Sequence, residues 1–385
     1  MPFLVNYIAM DKNIFKILAI ETSCDETAVA LIECEKENDA FEIKVLSNTV
    51  ASQIDLHKKW GGVYPELASR AHLEAMLPVL EEALLSIGGL KDLNKKIDAI
   101  AVTVGPGLIG SLLMGVETAQ ILSSHFDLPV IPVNHLEGHI YASFANDAKL
   151  KIKNEKLKIS KDGIFPILAL VVSGGHTSLI VMKNHLEYET VGQTIDDAAG
   201  EAFDKVARIM DLGYPGGPAI EQIAKNGNEN AYRLPLSMLD RKNLDFSFSG
   251  LKTAVLYLTK NPKTQETLTY DKADLAASFQ KTVCEILTKK TTSAIKEFSP
   301  KTVILGGGVS ANQYLRDYFV SEISQSPKTE GLRPTILVPP RELSTDNAVG
   351  IAIAGAVKFL NNKRMTWDKL EAKDQIPIDC STNIN

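Results

Sequence analysis

The order of two local patterns, which occurs twice along the chain, constrains the fold more than any single motif. Each occurrence begins with two short apolar runs joined by a polar turn, first at 17–31 and again at 168–182. An apolar run that enters a glycine turn and then a helix follows each time, at 100–115 and at 303–316. The first pattern predicts a β-hairpin, and the second predicts a strand followed by a helix. The sequence therefore predicts a duplicated α/β fold with two similar lobes around a cleft.

The turns of these units predict where a ligand binds. A helix that begins at a glycine turn presents free backbone N–H groups and the positive end of its dipole, which favour a phosphate or a carboxylate. Each turn taken alone is equally compatible with a tight structural turn. Two lobes, however, bring four such turns to one cleft, as in actin-like sugar kinases and ATPases. We therefore expect an anionic ligand in the cleft.

Length and charge bound the organisation of the chain and its partners. A chain of 385 residues exceeds one typical core, so two domains are expected. We predict one lobe at 14–145, a second at 160–340, and a return of 341–385 to the first. The net charge of −6 repels a polyanion, so a nucleic acid needs a local basic patch. The stretch 149–162, with six lysines and two acids, is such a patch or else a solvated loop.

Cysteine spacing and hydropathy restrict the cellular environment. Four widely spaced cysteines without a C-x-x-C pair support neither a disulfide framework nor a cysteine metal cage. Residues 1–15 lack the continuous apolar region of a signal peptide, and no apolar run reaches the length of a membrane span. We expect a cytoplasmic protein without a membrane segment.

Two histidines in the sequence HLEGH form a candidate metal site. His135 and His139 follow the apolar run at 128–133 and are four residues apart. On a helix they share one face about 6 Å apart, which is close enough for both to bind one metal ion. A chance or core pair is the alternative interpretation, and a metal site needs a distant third ligand.

A zinc peptidase is an alternative function for such a pair. In H-E-x-x-H the general base follows the first histidine directly, whereas Leu136 occupies that position here. Glu137 lies about 200° around the helix from His135 and would point away from a shared metal. The geometry disfavours a peptidase.

Acidic residues supply the other candidate ligands. Asp346 precedes a helix expected at 348–357, where it is either the oxygen ligand of the metal or only an N-cap. The acid-rich segment 193–205 is typical of a solvated acidic helix. The rigid YPGGP turn at 214–218 would let the backbone approach a flat ligand closely.

Nine ordered motifs between residues 17 and 357 carry a family resemblance. They are ETSCDET at 21–27, GGVYPELASRAH at 61–72, GPGLIGSLLMG at 105–115, HLEGH at 135–139, VSGGHT at 172–177, TIDDAAGEAFDK at 194–205, YPGGP at 214–218, DFSFSGLKT at 245–253 and GGGVSANQYLR at 306–316. With these motifs the chain resembles the tRNA N6-adenosine threonylcarbamoyltransferase family of bacterial and organellar type, formerly called O-sialoglycoprotein endopeptidases or glycoproteases.

The resemblance implies a fold and a reaction. The expected fold is that of actin-like ATPases (sugar kinases, Hsp70 and actin), with two duplicated RNase H-like lobes around a cleft. The expected reaction moves a threonylcarbamoyl group from threonylcarbamoyl-AMP to N6 of adenosine 37 in tRNAs that read ANN codons, and AMP leaves. A non-catalytic nucleotide-binding scaffold subunit is a further alternative, which would be expected to lack the metal ligands.

The resemblance also implies a cofactor and partners. One divalent metal, Fe²⁺ or Zn²⁺, is expected in each subunit. A chain of bacterial type would work with an inactive paralogue and a P-loop ATPase, and a chain of organellar type would form a homodimer.

Carried over by position, the resemblance assigns His135, His139 and Asp346 to the metal. It assigns these residues to the adenylate: Val171, Val172, Ser173, Gly174, Gly175, Asp204, Gly217, Glu221 and Asn312. For proton removal from the attacking amine we favour Asp25 and Glu26 in the first hairpin turn, with His176 as a second choice.

Overall fold

The structure is a computed structural model with a mixed α/β architecture. It describes residues 13–37, 40–145, 156–160, 163–239, 241–325 and 333–383. The strands are β1 (Ile14–Glu21), β2 (Glu26–Glu37), β3 (Ala40–Ser52), β4 (Ala99–Gly105), β5 (Val130–Asn134), β6 (Lys156–Ser160), β7 (Ile167–Val172), β8 (Thr177–Asn184), β9 (Glu187–Gln193), β10 (Thr302–Gly306) and β11 (Thr335–Leu337). The α-helices are α1 (Ile54–Lys58), α2 (Pro65–Leu84), α3 (Ile109–Phe126), α4 (His135–Ala142), α5 (Ala199–Ile209), α6 (Gly216–Ala224), α7 (Ser249–Thr259), α8 (Lys272–Phe298), α9 (Gln313–Gln325) and α10 (Ala348–Leu360). Short 3₁₀ turns lie at Leu85–Ile87, Leu93–Lys95, Ser143–Ala145, Gly308–Ala311, Arg341–Leu343, Trp367–Lys369 and Ile378–Asn383.

The central strands of the first sheet are buried on both faces. Its strand order is β5-β4-β1-β2-β3-β6, with β1, β2 and β3 antiparallel in sequence and β4 and β5 parallel to β1. Successive side chains of a strand point to opposite faces. Ile17 and Ala19 therefore pack on the face covered by α10, and Leu18 and Ile20 on the face covered by α2 and α3. This explains why β1 is a continuous apolar run and does not alternate with polar residues.

The second sheet repeats the topology of the first. Its order is β11-β10-β7-β8-β9, again with an antiparallel hairpin extended by a third strand and two parallel strands beside the first. Leu168 and Leu170 face helices α5 to α9, whereas Ala169 and Val171 face the core shared with α4 and α10. The repeated order predicted from the sequence is therefore present in the structure.

Helices α4 and α10 lie in the core between the two sheets and touch each other closely. A Cβ atom added at Gly350 would overlap the carbonyl oxygen of Gly138. Only glycine permits this approach, which places the start of α4 beside the start of α10. His135 is the first residue of α4, and Asp346 lies two residues before α10, so the helix contact brings two candidate metal ligands together.

Two local expectations need correction. Residues 156–160 are not a loop, because they form the edge strand β6 that pairs with β3; the rest of the lysine-rich stretch, 149–155 and 161–162, lies outside the described residues. The glycine turn of the second lobe does not open directly into a helix, because a 3₁₀ turn precedes α9. Among the helices that the structure describes, none has the length and hydropathy needed to cross a membrane.

Gly350→Ala tests the helix contact. The added methyl group has to push α10 away from α4, and overpacking of this kind costs about 1–3 kcal/mol of unfolding free energy. Gly250→Ala in α7 is the matched control, since its nearest neighbour would be Ser237 Oγ at 3.6 Å, and alanine at an open helix position stabilises by about 0.5–1 kcal/mol. Urea unfolding should separate the two variants; equal midpoints would contradict the close contact.

Candidate active site

The four turns predicted to bind a ligand surround one cavity of about 660 Å³. The hairpin turns contribute 23–26 and 173–176, and the glycine turns contribute 106–108 and Gly308. The remaining wall is formed by Gly61, Gly62, Val63, Glu201, Asp204, Lys205, Arg208, Tyr214, His135, Thr345 and Asp346. The cavity therefore collects residues from both halves of the chain.

Three side chains at this cavity have the arrangement of metal ligands. One ligand atom from each of His135, His139 and Asp346 lies within 4.8 Å of the others. Asp346 Oδ1 is 3.6 Å from Nε2 of His135 and 3.4 Å from Nε2 of His139. The two histidines follow β5 on one turn of α4, as their spacing predicted, with ring centroids 4.5 Å apart.

Glu21, at the end of β1, orients the first of these histidines. Its Oε2 lies 3.1 Å from Nδ1 of His135. The backbone N–H of Ser23 and the hydroxyl of Thr103 donate to the same carboxylate, at 2.5 and 2.7 Å. A carboxylate bonded to Nδ1 fixes the orientation of the imidazole ring, so that Nε2 faces Asp346.

The charges around His135 create a field that favours a cation. Burial alone would lower the pKa of His135, but the carboxylates of Asp346 and Glu21 outweigh it and raise that pKa to about 9. Burial likewise opposes ionisation of Asp346, yet the adjacent His135 and His139 hold its pKa well below the usual value. The same negative field that retains a proton here would attract a divalent metal ion.

The residues present fit a metal ion. Nε2 of His139 is buried and makes no hydrogen bond to any described residue, although Asp346 is near. A buried polar atom without a hydrogen bond is costly, and coordination would satisfy it. Two imidazoles and one carboxylate are a donor set that both iron and zinc accept.

Asp346 is not the N-cap of α10, so the capping alternative for this residue is wrong. Asn347 caps the helix instead, with its side-chain oxygen accepting from the N–H groups of Val349 and Gly350. The neighbouring asparagine thereby leaves the Asp346 carboxylate free to face the histidines.

The Glu137 carboxylate does not face the candidate metal site, as its position on the helix predicted. Its carboxylate accepts from the N–H of Asn134 at 2.9 Å and forms a buried ion pair with Lys358 at 2.7 Å. It is fully buried on the side of α4 that faces α10, so it cannot act as a general base at the cavity.

The second hairpin turn presents backbone to the cavity. Val171 and Val172 are fully buried at the end of β7, so only their backbone can serve a ligand. Ser173 is tied to His176 through two hydrogen bonds, and Gly174 and Gly175 have open space where a side chain would stand. A ligand can therefore approach this turn closely.

The other residues assigned to the adenylate lie in two places. Asp204 lines the cavity and accepts from the N–H of Gly216 at 2.7 Å, and burial raises the pKa of its carboxyl. Gly217, Glu221 and Asn312 are not among the residues that line the cavity. Asn312 directly precedes α9, where its side chain accepts from the N–H of Leu315, and Glu221 of α6 reaches the same helix start by accepting from the N–H of Gln313.

The proposed proton acceptors lie in the cavity but differ in their surroundings. Asp25 and Glu26 are adjacent, and burial together with the charge of Asp25 raises the pKa of Glu26 well above its usual value. His176 has its pKa lowered to about 4 by burial and by the neighbouring His135 and His139.

Only the second half of the acid-rich segment 193–205 is helical, because α5 begins at Ala199, and the two acids before it, although partly exposed, bond to other residues of the protein. Asp196 accepts hydrogen bonds from Ser247, Phe248 and Ser249 at the start of α7. Asp197 forms ion pairs with Lys205 and Lys252. These two acids therefore connect the turn before α5 to the residues at the start of α7.

Glu21, Thr103 and Arg208 were not singled out from the sequence. A signal existed for Glu21, which is an acid directly after the apolar run of β1 and begins the ETSCDET motif. Arg208 lies beyond the acid-rich motif and reaches across the cavity to the carbonyl oxygen of Gly61. No local sequence pattern marks that contact.

Comparison with known proteins identifies the family. The family model described as tRNA N6-adenosine threonylcarbamoyltransferase matches residues 44–353. Relatives with that name include one from Bacillus subtilis, 47% identical over 91% of this chain and 93% of its own length. Another, from Thermosipho melanesiensis, is 47% identical over 96% of this chain and 99% of its own. The chain belongs to the tRNA N6-adenosine threonylcarbamoyltransferase family.

Solved structures of more distant proteins share the fold. Full-length HypF in a phosphate- and nucleotide-bound form superposes on 91% of this chain with a TM-score of 0.51 at 15% identity. HypF from T. kodakarensis superposes on 90% with a TM-score of 0.54 at 13% identity. This chain covers 47% of each of those proteins, so the likeness concerns the fold alone.

Glu21→Gln tests the orientation of His135. The amide keeps the size of the side chain but removes its charge, and loss of such a partner typically lowers metal affinity about tenfold to a hundredfold. Competition with a chromophoric chelator for Zn²⁺ measures the change. Glu371→Gln, whose side chain is 74% exposed, is the control with no expected effect. An unchanged affinity in Glu21→Gln would mean that Glu21 does not orient the ligand.

Proposed function

We propose that this protein transfers the threonylcarbamoyl group of threonylcarbamoyl-AMP to N6 of adenosine 37 in tRNAs that read ANN codons. The observation that carries the proposal is the His135, His139 and Asp346 cluster at the cavity where four ligand-binding turns meet. The membership of the chain in the family supports the same reaction.

The proposed fold is that of actin-like ATPases, with two RNase H-like lobes. Its support is the identical order of five strands in the two sheets. We assign 14–145 and 341–385 to the first lobe and 160–340 to the second. The packing of α10 on β1 and β2 favours the return of the C-terminal segment to the first lobe.

His135, His139 and Asp346 would hold one divalent metal, Fe²⁺ or Zn²⁺. When bound, the metal would act as a Lewis acid toward a phosphate or carbamoyl oxygen. The protein's own contribution is rigidity, since α4 and α10 are buried on nearly all sides. A fixed donor set needs no reorganisation when the substrate arrives.

The adenylate would lie against the turns of the second lobe. Backbone N–H groups at Gly174, Gly175 and Gly308 suit its phosphate, and Val171, Val172 and Ser173 would hold the strand end that positions them. Asp204 suits a ribose hydroxyl. We place Gly217, Glu221 and Asn312 at the far end of the nucleotide, at the starts of α6 and α9.

Asp25 is the group that we propose removes the proton from the attacking amine. The exocyclic amine of adenine is a weak nucleophile, while the mixed anhydride is already activated, so positioning carries most of the acceleration. Asp25 and Glu26 share one turn at the cavity, and burial together with the charge of Asp25 raises the pKa of Glu26 well above its usual value. We therefore assign the acceptance of the proton to Asp25, with Glu26 beside it.

Two alternatives receive less support. A zinc peptidase needs a general base beside the metal, but Glu137 is held in an ion pair with Lys358. A non-catalytic scaffold subunit would be expected to have lost its metal ligands, and all three are present and clustered.

The protein partners follow from the type of chain. An inactive paralogue and a P-loop ATPase are expected for a bacterial chain, and a homodimer for an organellar one; a cytoplasmic location is expected in the first case. A groove between α2 and α3, with exposed Leu73, Leu77 and Ile121, supports a protein contact.

His135→Ala tests the transfer reaction and its dependence on the metal. Wild-type protein, threonylcarbamoyl-AMP and unmodified ANN-reading tRNA should yield modified adenosine, scored by nucleoside mass spectrometry with and without partner proteins. The variant lacks one ligand and should lose at least a hundredfold in rate together with its bound metal. His125→Ala on the surface of α3 is the control. A wild-type protein that gives no product in any combination would refute the proposal.

Asp25→Ala tests the proton acceptor. Loss of a general base typically costs a factor of about 10²–10⁴ in rate, whereas binding of threonylcarbamoyl-AMP should stay nearly unchanged. Rate and binding are measured separately, by single-turnover transfer and by calorimetric titration. Turnover at the wild-type rate in Asp25→Ala would remove Asp25 from the mechanism.

A further inference from the structure

Two exposed aromatic side chains stand at the rim of the cavity. Trp60 and Tyr64 have 61% and 47% of their surface exposed. Their ring centroids are 5.7 Å apart and their planes are inclined by 34°, so together they form one aromatic surface. The residues between them, Gly61, Gly62 and Val63, line the cavity itself.

The loop that carries these rings is held in place. Buried His57 bonds to Gln53 through Nε2 at 3.1 Å, and its Nδ1 accepts from the N–H of Tyr64 at 3.3 Å. On the other side of the cavity, Arg208 of α5 donates to the carbonyl oxygen of Gly61. The aromatic rings are therefore presented to solvent by an anchored backbone.

Exposure of both rings to water is energetically unfavourable, and a ligand that covers them would remove this cost. Large aromatic side chains usually bury most of their area, and an adjacent exposed pair at a cavity entrance offers a flat apolar face. Bases of single-stranded RNA stack on such faces.

Local charge favours a nucleic acid at the rim over one deep in the cavity. Lys58 and Lys59 directly precede Trp60 and are exposed. The cavity lining contains two basic side chains, Lys205 and Arg208, but more carboxyl groups, which disfavour a phosphate backbone there; they are Asp25, Glu26, Glu201, Asp204 and Asp346. A base is uncharged, so it can stack at the rim while the phosphates remain near the lysines.

We propose that Trp60 and Tyr64 form a stacking platform for the anticodon-loop base next to the target adenosine. The proposal rests on the proposed function, because the target adenine has to leave its own stack for N6 to enter the cavity. A platform at the rim replaces the stacking that the neighbouring base loses when the adenine is extruded.

Fluorescence reports on the platform directly. The chain has two tryptophans, so Trp367→Phe leaves Trp60 as the sole tryptophan. An unmodified anticodon stem-loop should quench its emission in a saturable titration, whereas a Trp60→Phe variant that retains Trp367 should show little quenching. A saturated complex with unchanged Trp60 emission would overturn the proposal.

A double-mutant cycle between Trp60 and the bases of the stem-loop identifies the stacked base. Trp60→Ala should weaken stem-loop binding about tenfold to a hundredfold, and Trp60→Phe should retain most of the affinity. A stem-loop with an abasic residue at position 36 or at position 38 should show a similar loss with wild-type protein and little further loss with Trp60→Ala. Independent losses at both positions would overturn the proposal. Trp367→Ala, which removes the other exposed tryptophan, is the matched control.

Kinetics separate this proposal from the proposed function. In the protein mixture that supports wild-type transfer, Trp60→Ala should raise KM for tRNA and leave KM for threonylcarbamoyl-AMP unchanged. An inactive wild-type protein would refute the function itself. An active wild type with an unaltered Trp60→Ala variant would refute the platform alone. Loss of a protein partner from Trp60→Ala on size-exclusion chromatography, with stem-loop binding intact, would also refute the platform and make the rings a protein contact.

Discussion

The buried ion pair between Glu137 and Lys358 fixes the two helices on which the candidate metal site depends. The Lys358 ammonium lies 2.7 Å from Glu137 and also donates to the carbonyl oxygen of Pro132 on β5. Both side chains are almost completely buried, and removal of one partner from such a pair costs about 3–5 kcal/mol. The pair joins the start of α4 to the last turn of α10, and the glycine contact at Gly138 and Gly350 holds α4 against the start of α10. Asp346 can then approach both histidines although more than 200 residues separate them in sequence.

The sequence predicts those parts of this structure that depend on local patterns. The hairpins β1-β2 and β7-β8 were predicted because apolar runs around a polar turn determine their own pairing. The helical spacing of His135 and His139 likewise needs only one turn of helix. The family and its reaction came from nine ordered motifs, and no periodicity or spacing could have supplied them. The side-chain roles assigned by resemblance remain predictions, since geometry brings the ligands together without revealing the substrate.

What the sequence did not predict depends on contacts between distant segments. The residues alone left Asp346 open as either a metal ligand or an N-cap, because one acid before a helix is an ordinary N-cap, and only the geometry identifies Asn347 as the cap. Asp196 is exposed, but the sequence did not indicate its hydrogen-bond partners at the start of α7, which lie about 50 positions away. Glu21 was not identified from the sequence, because its role depends on its contact with His135, which lies on another element. In each case the deciding partner lies on a different element.

The charge of the cavity connects the metal site to the substrate. Six carboxyl groups and two basic side chains, Lys205 and Arg208, lie in or beside a space of about 660 Å³; the acids are Glu21, Asp25, Glu26, Glu201, Asp204 and Asp346. A nucleoside phosphate brings further negative charge, which this field would repel unless it is offset. Burial and the repulsion between neighbouring carboxylates raise the pKa values of Glu26 and Asp204, which favours their uncharged forms. A cation held by His135, His139 and Asp346 would offset more of the negative charge. The N–H groups of the glycine turns would stabilise the phosphate. The three metal ligands would therefore serve the binding of the adenylate as well as the reaction. Without a cation between them, the most acidic wall of the cavity would face an anion.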